Sequence, residues 1–302
     1  MNVAHVEGEI YLLGYDQVSG PAVGRARVGA VHVGQEIHVT EQQHSFSLRS
    51  ASYAKSRPQY PSALYAWIAS QCDATWAAWD CATGNGQAAV GLAEHFSVVH
   101  ATDSSQEQIQ HAIPHSGVRY QRAPAETAGF PDEAFDLVTV AQALHWFDYS
   151  RFWPEVSRVL RPNGLFCAWG YAWLTTTPLV DETLVKPLRK ALEPFWAPNN
   201  RLLWSGYQSQ DISFPYDRIQ APEFAIVVEW SLRQLLDYFE TWSAFKQSRT
   251  DPSAVRAIEQ IVAAVLAEVG SDTPLTVKMP LSIVAGRKQR GLTGSKLDSH
   301  RF

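Results

Sequence analysis

The stretch Ala78-Trp-Asp-Cys-Ala-Thr-Gly-Asn-Gly-Gln-Ala-Ala89 (AWDCATGNGQAA, residues 78–89) decides the fold. It is apolar up to Asp80, turns through Gly84 and Gly86, and becomes small and helix-prone from Gln87 on. A glycine pair between a strand and a helix lets the backbone approach a ligand closely, and the helix N-terminus adds unpaired N–H groups. Gly84-x-Gly86-x-x-Ala89 also matches a dinucleotide fingerprint, but a lone match of that kind is weak. Asp80 opposes it, because a carboxylate at the strand end faces a pyrophosphate unfavourably and suits a cationic ligand.

Outward from this turn, strand-like and helix-like segments alternate. Strands are expected at 76–80, 96–103 (FSVVHATD), 118–123, 135–144 (FDLVTVAQAL) and 165–174, with helices at 86–95, 104–112 and 149–160 and an RPNG turn at 161–164. This pitch argues for right-handed crossovers and an α/β fold, a doubly wound and mostly parallel Rossmann-like sheet, for which we expect seven strands. Ligands of such sheets bind beyond the carboxyl ends of the strands, where Asp80, Asp103 and Gln142 all fall.

Four sections follow from the patterning. Residues 1–44, rich in Gly, Val and His, form an N-terminal extension with runs suited to one or two strands. Residues 45–174 hold an approach segment broken at Pro58 and Pro61, a helix carrying Leu64, Trp67, Ile68 and Cys72, and the ligand-binding core. Residues 175–222, dense in Pro and Trp, read as a cap inserted over the strand ends, where acceptor selection is expected. Residues 223–302 resume the pattern with EFAIVVEWSL (223–232), helices near 233–247 and 252–269, and LTVKMPLSIVAGRK (275–288) as a last sheet strand, before a polar tail from 289.

The 302 residues suffice for a sizeable core, and a net charge of -5 gives no basic stripe for nucleic acid. Three cysteines, Cys72, Cys81 and Cys167, have no CxxC spacing, which supports neither a disulfide framework nor a metal site. Glu7, Glu9 and Asp16 interrupt the N-terminus, and no apolar run is long enough to span a bilayer. A soluble, cytoplasmic protein without a membrane or nucleic-acid partner is expected. Its oligomeric state is left open.

Residues 79–109 (WDCATGNGQAAVGLAEHFSVVHATDSSQEQI) and 125–164 (AETAGFPDEAFDLVTVAQALHWFDYSRFWPEVSRVLRPNG) resemble the class I S-adenosylmethionine-dependent methyltransferases. Within them the chain is most similar to the branch related to trans-aconitate methyltransferases, a likeness shared by YFETWSAF at 238–245. The resemblance implies S-adenosylmethionine as cofactor. It puts Asp80, Ala82, Gly84 and Gly86 under the methionine part, Asp103 on the ribose hydroxyls, Ser104 beside the adenosine, Ala125 and Glu126 at the adenine edge, and Gln142 with His145 at the strand end facing the methyl. Ala82 stands where the family usually has Gly, and it fits if it keeps a negative φ.

Candidate groups for the reaction are His145, Trp146 and Tyr171; candidates for holding a small-molecule acceptor are Tyr53, Arg57, Trp169, Trp196 and Arg201, the arginines as forks for a carboxylate. Trp146, Trp153, Trp169, Tyr171, Trp173, Trp196, Trp204 and Tyr207 are an unusual density of rings, suited to a sulfonium or a cationic acceptor and also to plain packing. Methyl transfer to a small molecule, with carboxylates and amines as candidate acceptors, is the leading expectation. The alternatives are an intramolecular attack that releases methylthioadenosine, and a cofactor-binding regulator without chemistry.

Overall fold

The computed structural model describes residues 58–289, together with the backbone of two short strands nearer the N-terminus. The chain divides into two units, Met1–Ala51 and Ser52–Phe302. In the first, β1 (Val3–Val6) and β2 (Glu9–Leu12) pair antiparallel, Val3 opposite Leu12. Tyr53 and Arg57 lie outside the described residues.

The second unit carries β3 (Ala77–Cys81), β4 (Val98–Asp103), β5 (Val118–Arg122), β6 (Phe135–Ala141), β7 (Leu160–Gly170), β8 (Ala225–Ser231), β9 (Pro274–Pro280) and β10 (Ser282–Arg287). The central sheet runs β10-β7-β6-β3-β4-β5. Its neighbours are parallel except β10, which lies antiparallel on β7. This is the expected Rossmann-like architecture. The order leaves a switch point between β3 and β6, where connections depart in opposite directions and a crevice opens.

Side-chain alternation divides the core into two layers. Ala78, Leu137, Leu165 and Cys167 face the helices Ser62–Ser70 and Gln87–Ala93, against Leu64, Ile68, Ala89 and Leu92. Trp79, Val138, Phe166 and Ala168 face the helix Tyr149–Val159, against Phe152, Trp153 and Val156. The central strands are therefore buried on both sides and read as near-continuous apolar runs, as parallel sheets require.

Among the described residues the sheet has six strands, where the sequence suggests seven. EFAIVVEWSL does not join it: β8 pairs antiparallel with β9, Ala225 opposite Pro280, in a separate two-stranded ribbon. The 275–288 run is correspondingly two strands, split at Pro280-Leu281, and only β10 enters the central sheet. The seventh position, beside β10, holds one bridge from Arg218 to Gly286 and the bond from Ile219 N to Ala285 O at 2.8 Å. Pro215 and Pro222 flank this segment and withhold ladder donors, which keeps it from becoming a strand.

The RPNG stretch also differs from expectation. It forms the irregular start of β7, with Asn163 at φ +67°, its N–H bonded to Lys288 O and Gly164 O accepting from Lys288 N.

A third apolar cluster lies outside the central sheet and joins residues 174–192 to the C-terminal part of the chain. It is built from Val180, Leu184, Leu188 and Leu192 of the helical run over 178–192, from β8 and β9, and from the helices Leu232–Glu240 and Pro252–Val269. Local signals set these helices. Ser231 and Gln234 form a reciprocal capping box, and Asp251 caps a helix that starts on Pro252.

Candidate active site

The loop after β3 is held from below and from both sides. Asp80 is wholly buried; Thr83 Oγ1 donates to its Oδ2 at 2.6 Å and Thr139 Oγ1 to its Oδ1 at 2.9 Å. Burial pushes its carboxyl up to about 6, against the opposing effect of those hydroxyls. Asp80 thus shapes the loop from beneath. Thr83 N bonds Thr102 O at 2.8 Å, tying the loop to β4.

Asp103 ends β4 and joins two elements of the crevice. Its Oδ2 accepts from Gly84 N at 2.9 Å and its Oδ1 from Ser105 N at 2.8 Å. Each oxygen keeps a further lone pair. Gly86 has φ +85°, caps the helix Gln87–Ala93, and lies under Tyr120 so closely that an added Cβ would sit 2.1 Å from its hydroxyl. Gly84, at φ +57°, meets nothing nearer than Gln108 Oε1 at 4.0 Å, so space opens over it.

Ala82 departs from expectation. Its φ is +54°, in the left-handed region, because the chain must turn back at the end of β3 while Thr83 bonds across to β4. A Cβ in this region costs roughly 1–2 kcal/mol. Gln142, at the end of neighbouring β6, shares the feature at φ +59°. Two non-glycine residues in strained conformations thus flank the switch point, a pattern associated with functional sites.

Beside the loop lies a cavity of about 190 Å³ lined by Ala82, Ser104, Ala123, Pro124, Ala125, Glu126, Trp146 and Phe147. It brings together five residues singled out from sequence: Ala82, Ser104, Ala125, Glu126 and Trp146. Its walls are mainly apolar, with Ser104 and the Glu126 carboxylate as polar groups, and Glu126 Oε1 also accepts from Asp148 N at 3.3 Å. Trp146 is 55 % exposed and forms one side.

The remaining candidates occupy other places. His145 is 4 % exposed, with Nδ1 2.9 Å from Tyr207 Oη. Burial lowers its pKa to about 4, so it is neutral and joins the helical turn after β6 to the cap. Gln142 uses its side-chain amide on the backbone of Tyr171, and the Tyr171 hydroxyl accepts from Tyr238 at 3.3 Å. Trp169 is fully buried between Tyr60 and Tyr65, both edge-on, and belongs to the core. Trp153 is likewise core, 5 % exposed. Arg201 is exposed on the helix Asn200–Trp204 and lines neither cavity described here.

Trp196 lines a second cavity, of about 280 Å³, with Trp173, Lys186, Arg189, Lys190, Glu193 and Trp204. Its cations escaped the sequence reading because they lie on an unremarkable amphipathic helix. Thr83, Thr139 and Tyr120 were missed for the same kind of reason: a hydroxyl beneath a loop leaves no spacing signal.

A mainly apolar cavity with a carboxylate, an open glycine and a strand-end carboxylate fit a nucleoside-bearing cofactor. A fold comparison agrees. A family model described as methyltransferase domain matches residues 79–168, spanning β3 to β7. A Dictyostelium discoideum protein named as a methyltransferase is 30 % identical over 257 residues, covering 83 % of this chain and 97 % of the other. An uncharacterised methyltransferase of Mycobacterium tuberculosis is 34 % identical over 134 residues, 43 % of this chain and 52 % of that one. A solved structure described as a type II methyltransferase from Anaeromyxobacter dehalogenans aligns with a TM-score of 0.71 at 38 % identity, over 77 % of this chain and 98 % of that one.

The chain belongs to the class I S-adenosylmethionine-dependent methyltransferase family. It is an enzyme, and S-adenosylmethionine is its methyl donor. Among the described residues, no helix is long and apolar enough to cross a membrane.

Proposed function

We propose that the enzyme transfers the methyl group to a small-molecule acceptor held between the ends of β6 and β7 and the cap, with a carboxylate as the favoured nucleophile. The observation that carries this reading is Asp103, whose carboxylate ties Gly84 N and Ser105 N beside the cavity lined by Ser104, Ala125, Glu126 and Trp146. In this reading Asp103 takes the ribose hydroxyls, Ala125 and Glu126 meet the adenine edge, Trp146 covers it, and Ala82, Gly84 and Gly86 pass under the methionine part, with Asp80 bracing them.

The donor supplies an electrophilic methyl on a sulfonium. Transfer then depends on in-line placement and exclusion of water. His145 is bonded to Tyr207, and burial lowers its pKa to about 4, which makes it a poor base for the acceptor. An acceptor already anionic at neutral pH needs no base, which favours a carboxylate over a protonated amine. The likeness of 238–245 to the trans-aconitate methyltransferase branch supports the same choice, and Trp242 in that segment packs against Trp173 and Trp196. The reading includes a soluble, cytoplasmic enzyme acting without nucleic acid.

The test is incubation of purified protein with S-adenosylmethionine alone and then with carboxylate and amine libraries, read by mass spectrometry. S-adenosylhomocysteine appearing only with an added carboxylate, and lost in Asp103→Ala, is the expected result. Methylthioadenosine formed without any acceptor points instead to intramolecular chemistry. Tight donor binding with neither product points to a regulator.

A further inference from the structure

The 280 Å³ cavity in the cap has the wrong charge for a sulfonium. Three cations, Lys186, Arg189 and Lys190, line it against one carboxylate, Glu193. Lys186 is already paired with Glu182. Among the described residues, Arg189 and Lys190 form no ion pair with Glu193 or any other acid.

Arg189 is nonetheless placed. Its guanidinium stacks over the Trp173 ring, 5.2 Å from the centroid. Among the described residues its N–H donors make no hydrogen bond, which leaves the fork available to a ligand. Trp173 in turn stands edge-on to Trp196 at 6.2 Å and to Trp242 at 5.2 Å, and Trp196 edge-on to Trp204 at 5.8 Å. The indole Nε1 atoms of Trp173 and Trp196 are buried without a hydrogen-bond partner.

The cavity lies at the carboxyl end of the sheet. Trp173 follows the last residue of β7 by three positions, and Leu203, next to Trp204, packs on Gly170 so tightly that an added Cβ would come within 2.6 Å of it. We propose that the cavity bounded by Trp173, Arg189, Lys190, Trp196 and Trp204 binds the anionic end of a flat, unsaturated or aromatic small molecule, so that the cap selects acceptors by negative charge. The rings supply the slot for the planar body. The Arg189 guanidinium edge and the Lys190 ammonium, both exposed, supply the donors. This deepens the methyl-transfer reading and rests on it for the reaction, though binding is separable from it.

The full chain is titrated calorimetrically with 2-naphthoate and with its neutral counterpart 2-naphthylmethanol, each at saturating S-adenosylhomocysteine. The naphthoate binds at least about tenfold more tightly, and the double variant Arg189→Met, Lys190→Met erases that preference while leaving the alcohol unchanged. Both residues are exposed, so the variant keeps its fold, checked by unaltered S-adenosylhomocysteine affinity. Equal affinity for the two probes, or a double variant that still prefers naphthoate, overturns the proposal. Charge preference retained while no carboxylate in the library yields S-adenosylhomocysteine supports the anion site and sinks the methyl-transfer reading alone.

Discussion

The side-chain amide of Gln142 pairs with the backbone of Tyr171 at both of its ends: Nε2 donates to the Tyr171 carbonyl and Oε1 accepts from the Tyr171 N–H, each at 3.2 Å. A side chain thereby continues the β6–β7 ladder one step past the end of β6 and fixes where the chain leaves the sheet for the cap. Gly170 has no Cβ because that amide and Leu203 occupy the space. Gln142→Asn, which tolerates the positive φ but falls a methylene short, loses both bonds at a cost of about 1–2 kcal/mol. Acceptor KM should rise while donor affinity stays within about twofold; an unchanged urea midpoint counts against the clamp.

The two glycines of the loop should fail differently. At Gly86 an added Cβ collides with Tyr120, so Gly86→Ala is expected to destabilise by at least about 2 kcal/mol, with part of the loss recovered by Tyr120→Ala. At Gly84 the space is open, so Gly84→Ala costs only the backbone penalty of roughly 1–2 kcal/mol. Its larger effect should be on S-adenosylmethionine affinity, about tenfold or more, measured by calorimetry. Equal damage to both properties at both sites would contradict this division.

Ala82 offers a gain in stability. Its left-handed φ of +54° suits glycine, so Ala82→Gly relieves about 1–2 kcal/mol in the folded state against about 0.4–1 kcal/mol of added freedom in the unfolded one. A net stabilisation of up to about 1.6 kcal/mol is expected in urea unfolding, and a lower midpoint would sink the strain argument.

Asp80 and His145 should give the enzyme opposing pH terms. Asp80 titrates near 6 in the folded state against 3.8 unfolded, so the folded chain binds the extra proton and this term weakens stability as pH rises from about 4 to 6. His145 titrates near 4 against 6.5 unfolded, so the folded chain binds fewer protons and its term strengthens stability as pH rises through the same window. Each is worth up to about 3 kcal/mol. Asp80→Asn should leave a melting temperature that climbs from pH 4 to 6.5, and His145→Gln one that falls from pH 4 to 6. Parallel profiles for the two variants and the parent would refute both assignments.

The alternation from Ala77 to Gly170 was legible because each element there is encoded within ten or so consecutive residues: apolar runs for strands buried on both faces, a glycine pair for the turn between β3 and its helix. The lining of the smaller cavity came from the resemblance of 79–109 and 125–164 to the methyltransferase family, which implied Ser104, Ala125 and Glu126 for the nucleoside. The pairing of the C-terminal half was not legible. The run at 275–288 reads as one strand, yet Pro280-Leu281 divides it between the cap ribbon and the central sheet.

By itself, then, the sequence determined a parallel α/β core with its crevice at the ends of β3, β4 and β6, because period and turn chemistry act over short spans. Only the tertiary structure decided the sign of φ at Ala82, the partner of His145 sixty-two residues away at Tyr207, and which tryptophans pack as core and which line the cap cavity with Arg189. Those outcomes depend on contacts between segments far apart in the chain, and such contacts are chosen by packing and burial in three dimensions, which no local pattern carries.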